Sequence, residues 1–178
     1  MKPLGYRNLN PLNIRFNVMN NWKGQTGCHK GFCTFDTMEH GYRAAFVLLL
    51  NYIKRGFTTP TEIISSWAPA SENNTKAYIA TVMRYFNHSL HPDCHKFDAD
   101  SSFVSIYTPT PLLHLLLFAK AMSCIELGVN PFKDTLEYKM LESSFEQAAG
   151  EFVLEFHKNN TWIAIFDLSG FKLSFDDI

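Results

Sequence analysis

The chain's 178 residues are 46% apolar and 15% aromatic, with 16 Phe, which is enough for one compact domain with a real core and excludes a disordered chain. A formal charge of −1, from 16 basic and 17 acidic residues, argues against a generic nucleic-acid binder, whose surface carries a strong basic excess. No apolar run approaches the roughly 18 residues of a transmembrane helix, the start MKPLGYRNLN lacks the apolar stretch of a signal peptide, and four Cys are few for a disulfide scaffold. The expectation is a protein made in the cytoplasm with reduced thiols.

In chain order, residues 1–34 read as loop-rich, with Gly5, Pro11, Gly24, Gly27, Gly31 and many Asn. Asp36 with Glu39 three residues on is a capping-box pattern, and Ala44–Tyr52 continues it as a buried helix. Thr59-Pro60-Thr61-Glu62 supplies an N-cap, a proline at the first helical position and an acid at the third, opening a short helix that ends near Trp67-Ala68-Pro69. Ser71 is placed as the cap of a third helix through about Phe86, with Tyr78, Ile79, Val82 and Met83 on one face. Residues 87–109 read as a long loop with a short strand at Phe103–Tyr107. Thr110-Pro111 opens a fourth helix that stops at Gly128 and Pro131, and Asp134 caps a fifth, amphipathic one through about His157. The end, Trp162–Phe166 and Phe171–Phe175 around Asp167-Leu168-Ser169-Gly170, has the pattern of a hairpin. The class is mainly α (α+β) with a small C-terminal β-hairpin.

Charge is unevenly spread: from Glu126 onward there are 10 acidic and 4 basic residues, which leaves residues 1–125 at about +5. The basic part favours a polyanionic partner such as a bacterial cell wall, unless differently charged solvated faces are all that the asymmetry means. The acidic end is expected to pack across the basic core or to dock a protein partner.

Two segments carry chemistry. Arg7-Asn8-Leu9-Asn10-Pro11-Leu12-Asn13-Ile14-Arg15 has the density of Asn and Pro that holds a non-repetitive loop through side-chain to backbone hydrogen bonds, and such loops often line sites. Trp67-Ala68-Pro69-Ala70-Ser71-Glu72-Asn73-Asn74-Thr75, with Tyr78, gathers an indole, a carboxylate, amides and a phenol around one helix start, a mixture suited to stacking on and bonding sugars. A structured turn beside a core Trp reads equally well from those residues.

Together these segments resemble the lysozyme-like domain of phage- and prophage-encoded proteins often labelled virion structural proteins. The residues concerned are RNLNPLNIR, then WKG, GFCTF, GYRAA, NYIKRG and WAPASENNTKAYIATV, over about residues 6–86. A more distant similarity is to the flagellar-type N-acetylglucosaminidases of the lysozyme superfamily. That superfamily places its catalytic Glu on a helix before the Asn-rich loop, and here too few residues precede the loop for such a helix. The run Ala119-Lys120-Ala121-Met122-Ser123-Cys124-Ile125-Glu126-Leu127-Gly128-Val129-Asn130-Pro131 instead resembles the Glu-Ser-Gly-x-Asn-Pro helix end of lytic transglycosylases. The resemblance implies a lysozyme-like helical domain over residues 1–131, in effect circularly permuted, with residues 132–178 as an extension packed on it. It further implies that loop 8–15 lies beside the end of helix 110–126.

A carboxyl half-buried at the end of an apolar helix is desolvated and faces the negative end of the dipole, which suits a general acid. Glu126 is therefore the candidate acid/base, although the same residues also read as a plain helix end with an exposed acid. A hydrolase needs a second carboxylate, for which Glu72 and Glu39 are candidates, whereas a transglycosylase needs one Glu, because the sugar's own hydroxyl attacks. Asn13, Arg15, Trp67, Asn73 and Tyr78 are expected to line the glycan cleft. Cys28, His29 and Cys33 in one loop and His88, His91, Cys94 and His95 in another lack a standard zinc spacing, so no metal is expected, and the chemistry requires no cofactor. The expected function is a peptidoglycan-cleaving glycosidase or lytic transglycosylase, delivered to the periplasm or wall or packaged in a virion. The alternative is a non-catalytic virion or secretion-system component.

Overall fold

The computed structural model describes residues 2–71, 74–92, 94–104 and 111–159. The architecture is mainly helical with one small antiparallel sheet. Its elements are α1 (Leu4–Asn8), β1 (Gln25–His29), β2 (Phe32–Phe35), α2 (Met38–Lys54), α3 (Pro60–Trp67), α4 (Thr75–Ser89), α5 (Pro111–Glu126) and α6 (Leu136–Asn159).

The core is built around α5. Leu115, Leu116, Phe118, Ala119, Ala121, Met122, Ser123 and Cys124 are all buried, so the helix is enclosed on every side, as its near-continuous apolar sequence requires. It packs against α2, α4 and α6. From α2 come Tyr42, Ala45, Phe46 and Leu49, spaced as one helical face. From α4 come Val82, Met83 and Phe86, and α3 packs on α4. Helix α6 presents Leu141, Phe145, Ala148 and Phe152 to α2, where Phe145 meets the rings of Tyr42 and Phe46 edge-on at 5.6 and 6.0 Å. Two ion pairs also hold α6, Arg43–Glu155 and Lys120–Glu142, the latter with its ammonium buried over the Tyr138 and Phe145 rings.

Helix starts follow local chemistry, with shifts of a few residues. The α3 capping box forms as read: Thr59 Oγ1 accepts from the Glu62 amide, and the Glu62 carboxylate accepts from the Thr58 and Thr59 amides. The cap of α2 is Thr37 rather than Asp36, because the Thr37 hydroxyl accepts from the His40 amide while Asp36 turns to the His40 ring. The cap of α4 is Asn74 rather than Ser71; Thr75 Oγ1 reaches back to the Ala68 carbonyl and holds residues 68–71 in a turn. Before α6, Thr135 bonds the Tyr138 amide and Asp134 pairs with Lys139 instead.

The largest departure lies before residue 36. What reads as loop contains α1 and a hairpin. Lys30 and Gly31, at φ +54° and +82°, form its two-residue turn, pairing His29 with Phe32 and Cys28 with Cys33. Phe103 and Val104 lie in a turn rather than a strand, while residues 105–107 and the C-terminal hairpin pattern lie outside the described residues. Among the described residues, no helix is long and apolar enough to cross a membrane.

Candidate functional site

Glu126 ends α5, and the chain leaves it through a tight cap. Gly128, at φ +68°, lets its amide reach the Ile125 carbonyl at 3.1 Å and the Val129 amide reach Cys124 at 2.8 Å, the two bonds of a Schellman motif. Asn130 then turns the chain by accepting from the Phe132 amide. The cap fixes the last helical turn and holds Glu126 half-buried at its edge.

The Asn-rich loop reaches this point because it is locked internally. Asn10 is fully buried: its Oδ1 accepts from the Ile14 amide at 2.8 Å, and its Nδ2 donates to the carbonyls of Ile14 and Cys33 at 3.0 and 2.9 Å. Two glycines permit the close packing. A Cβ on Gly41 would stand 2.2 Å from the Leu9 carbonyl oxygen, and one on Gly5 would stand 2.7 Å from Leu127. The loop is thus wedged between α1, α2 and the end of α5.

At its apex Asn13 adopts φ +48°, a left-handed conformation that Asn tolerates better than most residues. Its Nδ2 donates to Glu126 Oε2 at 2.8 Å, and its Oδ1 is buried with no hydrogen-bond partner. A strained backbone and an unpaired buried carbonyl each cost free energy, and here both attend an amide aimed at one carboxylate. From the other side, one turn into α4, the Tyr78 hydroxyl donates to Glu126 Oε1 at 2.8 Å. Burial above all, then the neighbouring Glu126 charge, push the Tyr78 phenol far above its ordinary range, so it remains a donor. Both oxygens of Glu126 are therefore held, by residues from two separate segments.

The structure thus brings Asn13, Tyr78 and Glu126 together. Other candidates fall elsewhere. Arg15 is exposed, with its guanidinium 5.8 Å above the Phe32 ring. Trp67 ends α3, partly buried against the core. Glu39 is the second helical residue of α2 rather than the third, so it makes no reciprocal capping box. It lines a cleft with Lys23, His40, Arg43 and the second half of α6. Glu72 and Asn73 lie outside the described residues.

The cysteines are free thiols. Cys28 and Cys33 face each other across the hairpin, and His29 Nδ1 is bonded to Asn8. Among the described residues no group of three or more His, Cys, Asp or Glu is placed to hold a metal ion. Asn10 bonds its own loop's backbone as the Asn-rich run predicts, but its Cys33 carbonyl partner is distant, and the contact of Gly41 with Leu9 gives no local signal.

No family model matches the chain. An alignment of 83 positions, covering 44% of this chain and 52% of the other protein, shows 39% identity to Protein P5 of Pseudoalteromonas phage PM2. The chain spans about half the length of the curated relative it matches, and over that stretch it is related to a phage protein.

Proposed function

We propose that the chain cleaves the glycan strands of bacterial peptidoglycan, as a lysozyme-like glycosidase or lytic transglycosylase of phage or prophage type. The observation that carries this reading is the clamp on Glu126: a half-buried carboxyl at a helix end, oriented by Asn13 and Tyr78 at 2.8 Å each. A general acid must be held in hydrogen-bond geometry to the leaving oxygen, and a clamp from two segments supplies that orientation. In the transglycosylase form, protonated Glu126 gives its proton to the glycosidic oxygen as the C1–O bond breaks. The carboxylate then takes the proton of the MurNAc C6 hydroxyl as that oxygen closes onto C1, leaving a 1,6-anhydro end. In the hydrolase form water takes the hydroxyl's place and a second carboxylate assists, Glu72 being the candidate. Relatedness to a phage protein supports a phage setting, packaged in a virion or delivered to the wall.

One observation favours a second reading, a non-catalytic virion or secretion-system component that binds wall or a partner through the same fold. Both Glu126 oxygens are already satisfied inside the protein, as a structural carboxylate's would be.

The test is Glu126→Gln, which keeps shape but cannot donate the proton. It is expected to abolish muropeptide release from purified peptidoglycan, a loss of about 10²–10⁴-fold, while folding and sedimentation with peptidoglycan persist. A wild-type protein that sediments with peptidoglycan and releases nothing supports the second reading. Full activity in the variant transfers the chemistry to another carboxylate. Mass spectrometry of the products separates anhydro ends from reducing ends.

A further inference from the structure

The segment before β1 ends in an apolar point. Residues 14–16 run along the outer edge of β2, with the Cys33 amide on the Ile14 carbonyl and the Phe16 amide on the Gly31 carbonyl, both at 2.9 Å. This carries the chain to the tip of the hairpin, where the Lys30–Gly31 turn lies. Just beyond, Asn17–Asn20 closes a tight turn: the Asn20 amide donates to the Asn17 carbonyl at 3.0 Å, and the Met19 amide to the Asn17 side chain at 2.9 Å. The two central residues are Val18 and Met19, 82% and 85% exposed, with Phe16 at 40% behind them. A turn locked by its own hydrogen bonds thus holds two apolar side chains out in solvent, where they gain nothing for the fold.

The segment that carries the turn is basic. Residues 1–35 contain five basic side chains and no acidic one. Two of them, Arg15 and Lys30, belong to the residues that form this end of the sheet: Arg15 bridges to Phe32, and Lys30 is exposed at the turn.

We propose that the Val18–Met19 turn is a membrane-docking point, dipping below the headgroups of an anionic lipid bilayer while Arg15 and Lys30 meet the headgroup phosphates. A bilayer offers both an apolar phase for a projecting tip and a negative plane for its flanks. A wall polymer offers charge but no apolar phase, and a protein partner is better served by a broad apolar face than by a point of two side chains. The inference does not depend on the glycan-cleavage reading.

The experiment is co-sedimentation of the full chain with vesicles of equimolar phosphatidylglycerol and phosphatidylcholine, against phosphatidylcholine alone. Binding is expected to the first and to be weak on the second. Val18→Asp combined with Met19→Asp is expected to weaken binding by about tenfold or more. Arg15→Gln or Lys30→Gln is expected to weaken it by about fivefold each. The exposed positions leave the melting temperature unchanged, which confirms that the variants fold. In Met19→Trp, indole emission is expected to shift to shorter wavelength on the anionic vesicles. Absence of vesicle binding, or binding that the double Asp variant leaves intact, overturns the proposal. So does a double variant that loses sedimentation with peptidoglycan in place of vesicle binding. Muropeptide release from purified peptidoglycan is a separate readout that the Val18 and Met19 variants leave unchanged.

Discussion

Asn10 and Asn13 sit three residues apart and do different work. Asn10 satisfies three backbone groups in a space that water does not enter, and so gives the loop a single shape; Asn13 projects from that shape to Glu126. Removing the Asn10 amide leaves the Ile14 amide hydrogen and the Cys33 carbonyl short of a partner, while the Ile14 carbonyl keeps the Cys33 amide; each buried unsatisfied group costs about 1–3 kcal/mol. Asn10→Ala is therefore expected to lower stability by about 2–4 kcal/mol in denaturant titration. A loss below about 0.5 kcal/mol would mean that the loop has another lock.

At the scale of elements, two glycines of the α5 and α6 region make opposite predictions. Gly128 needs its left-handed φ of +68° to close the cap beneath Glu126. Gly128→Ala is expected to destabilise by about 1–2 kcal/mol, with the last turn of α5 loosened. Gly150 lies within α6, and a Cβ there meets nothing within 4 Å. Gly150→Ala is expected to stabilise by about 0.5–1 kcal/mol, since alanine loses less backbone entropy in a helix. Thermal melts of the two variants should move in opposite directions.

Across the whole molecule, stability depends on a core that is apolar except at a few points. One of them is His114 on α5, whose ring packs between Phe86 and Phe97 and whose Nδ1 is buried without a partner. Burial disfavours the imidazolium and lowers its pKa below the ordinary value near 6.5. At a pH between the folded and unfolded values, the unfolded chain binds this proton and the folded chain does not. Stability from this residue is thus complete above about pH 6.5 and declines as pH falls toward and through the folded value. Melting temperatures between about pH 7 and pH 5 should fall more steeply for the wild type than for His114→Gln. Equal slopes would show that His114 takes up its proton in the folded state without penalty.

Local sequence settles what a turn or two of chain can decide. The Thr59–Glu62 box, the proline that opens α5, the Gly128 stop and the helical spacing of Val82 and Met83 are local matters of φ, capping and periodicity. They made the mainly helical class legible, with starts displaced by up to three residues where Thr37, Asn74 and Thr135 compete with a neighbour for the same amides. The hairpin at 25–35 was hidden because no clean apolar–polar alternation marks it, and its register depends on the segment at 14–16 lying alongside. Long-range packing brings Glu126 to Asn13 and Tyr78, from 113 and 48 residues away. It alone turned Glu39 into a cleft beside α6 and left Val18 and Met19 in solvent. These outcomes depend on which surfaces bury each other, and a contact between distant residues leaves no trace in the local conformational preferences from which elements are read.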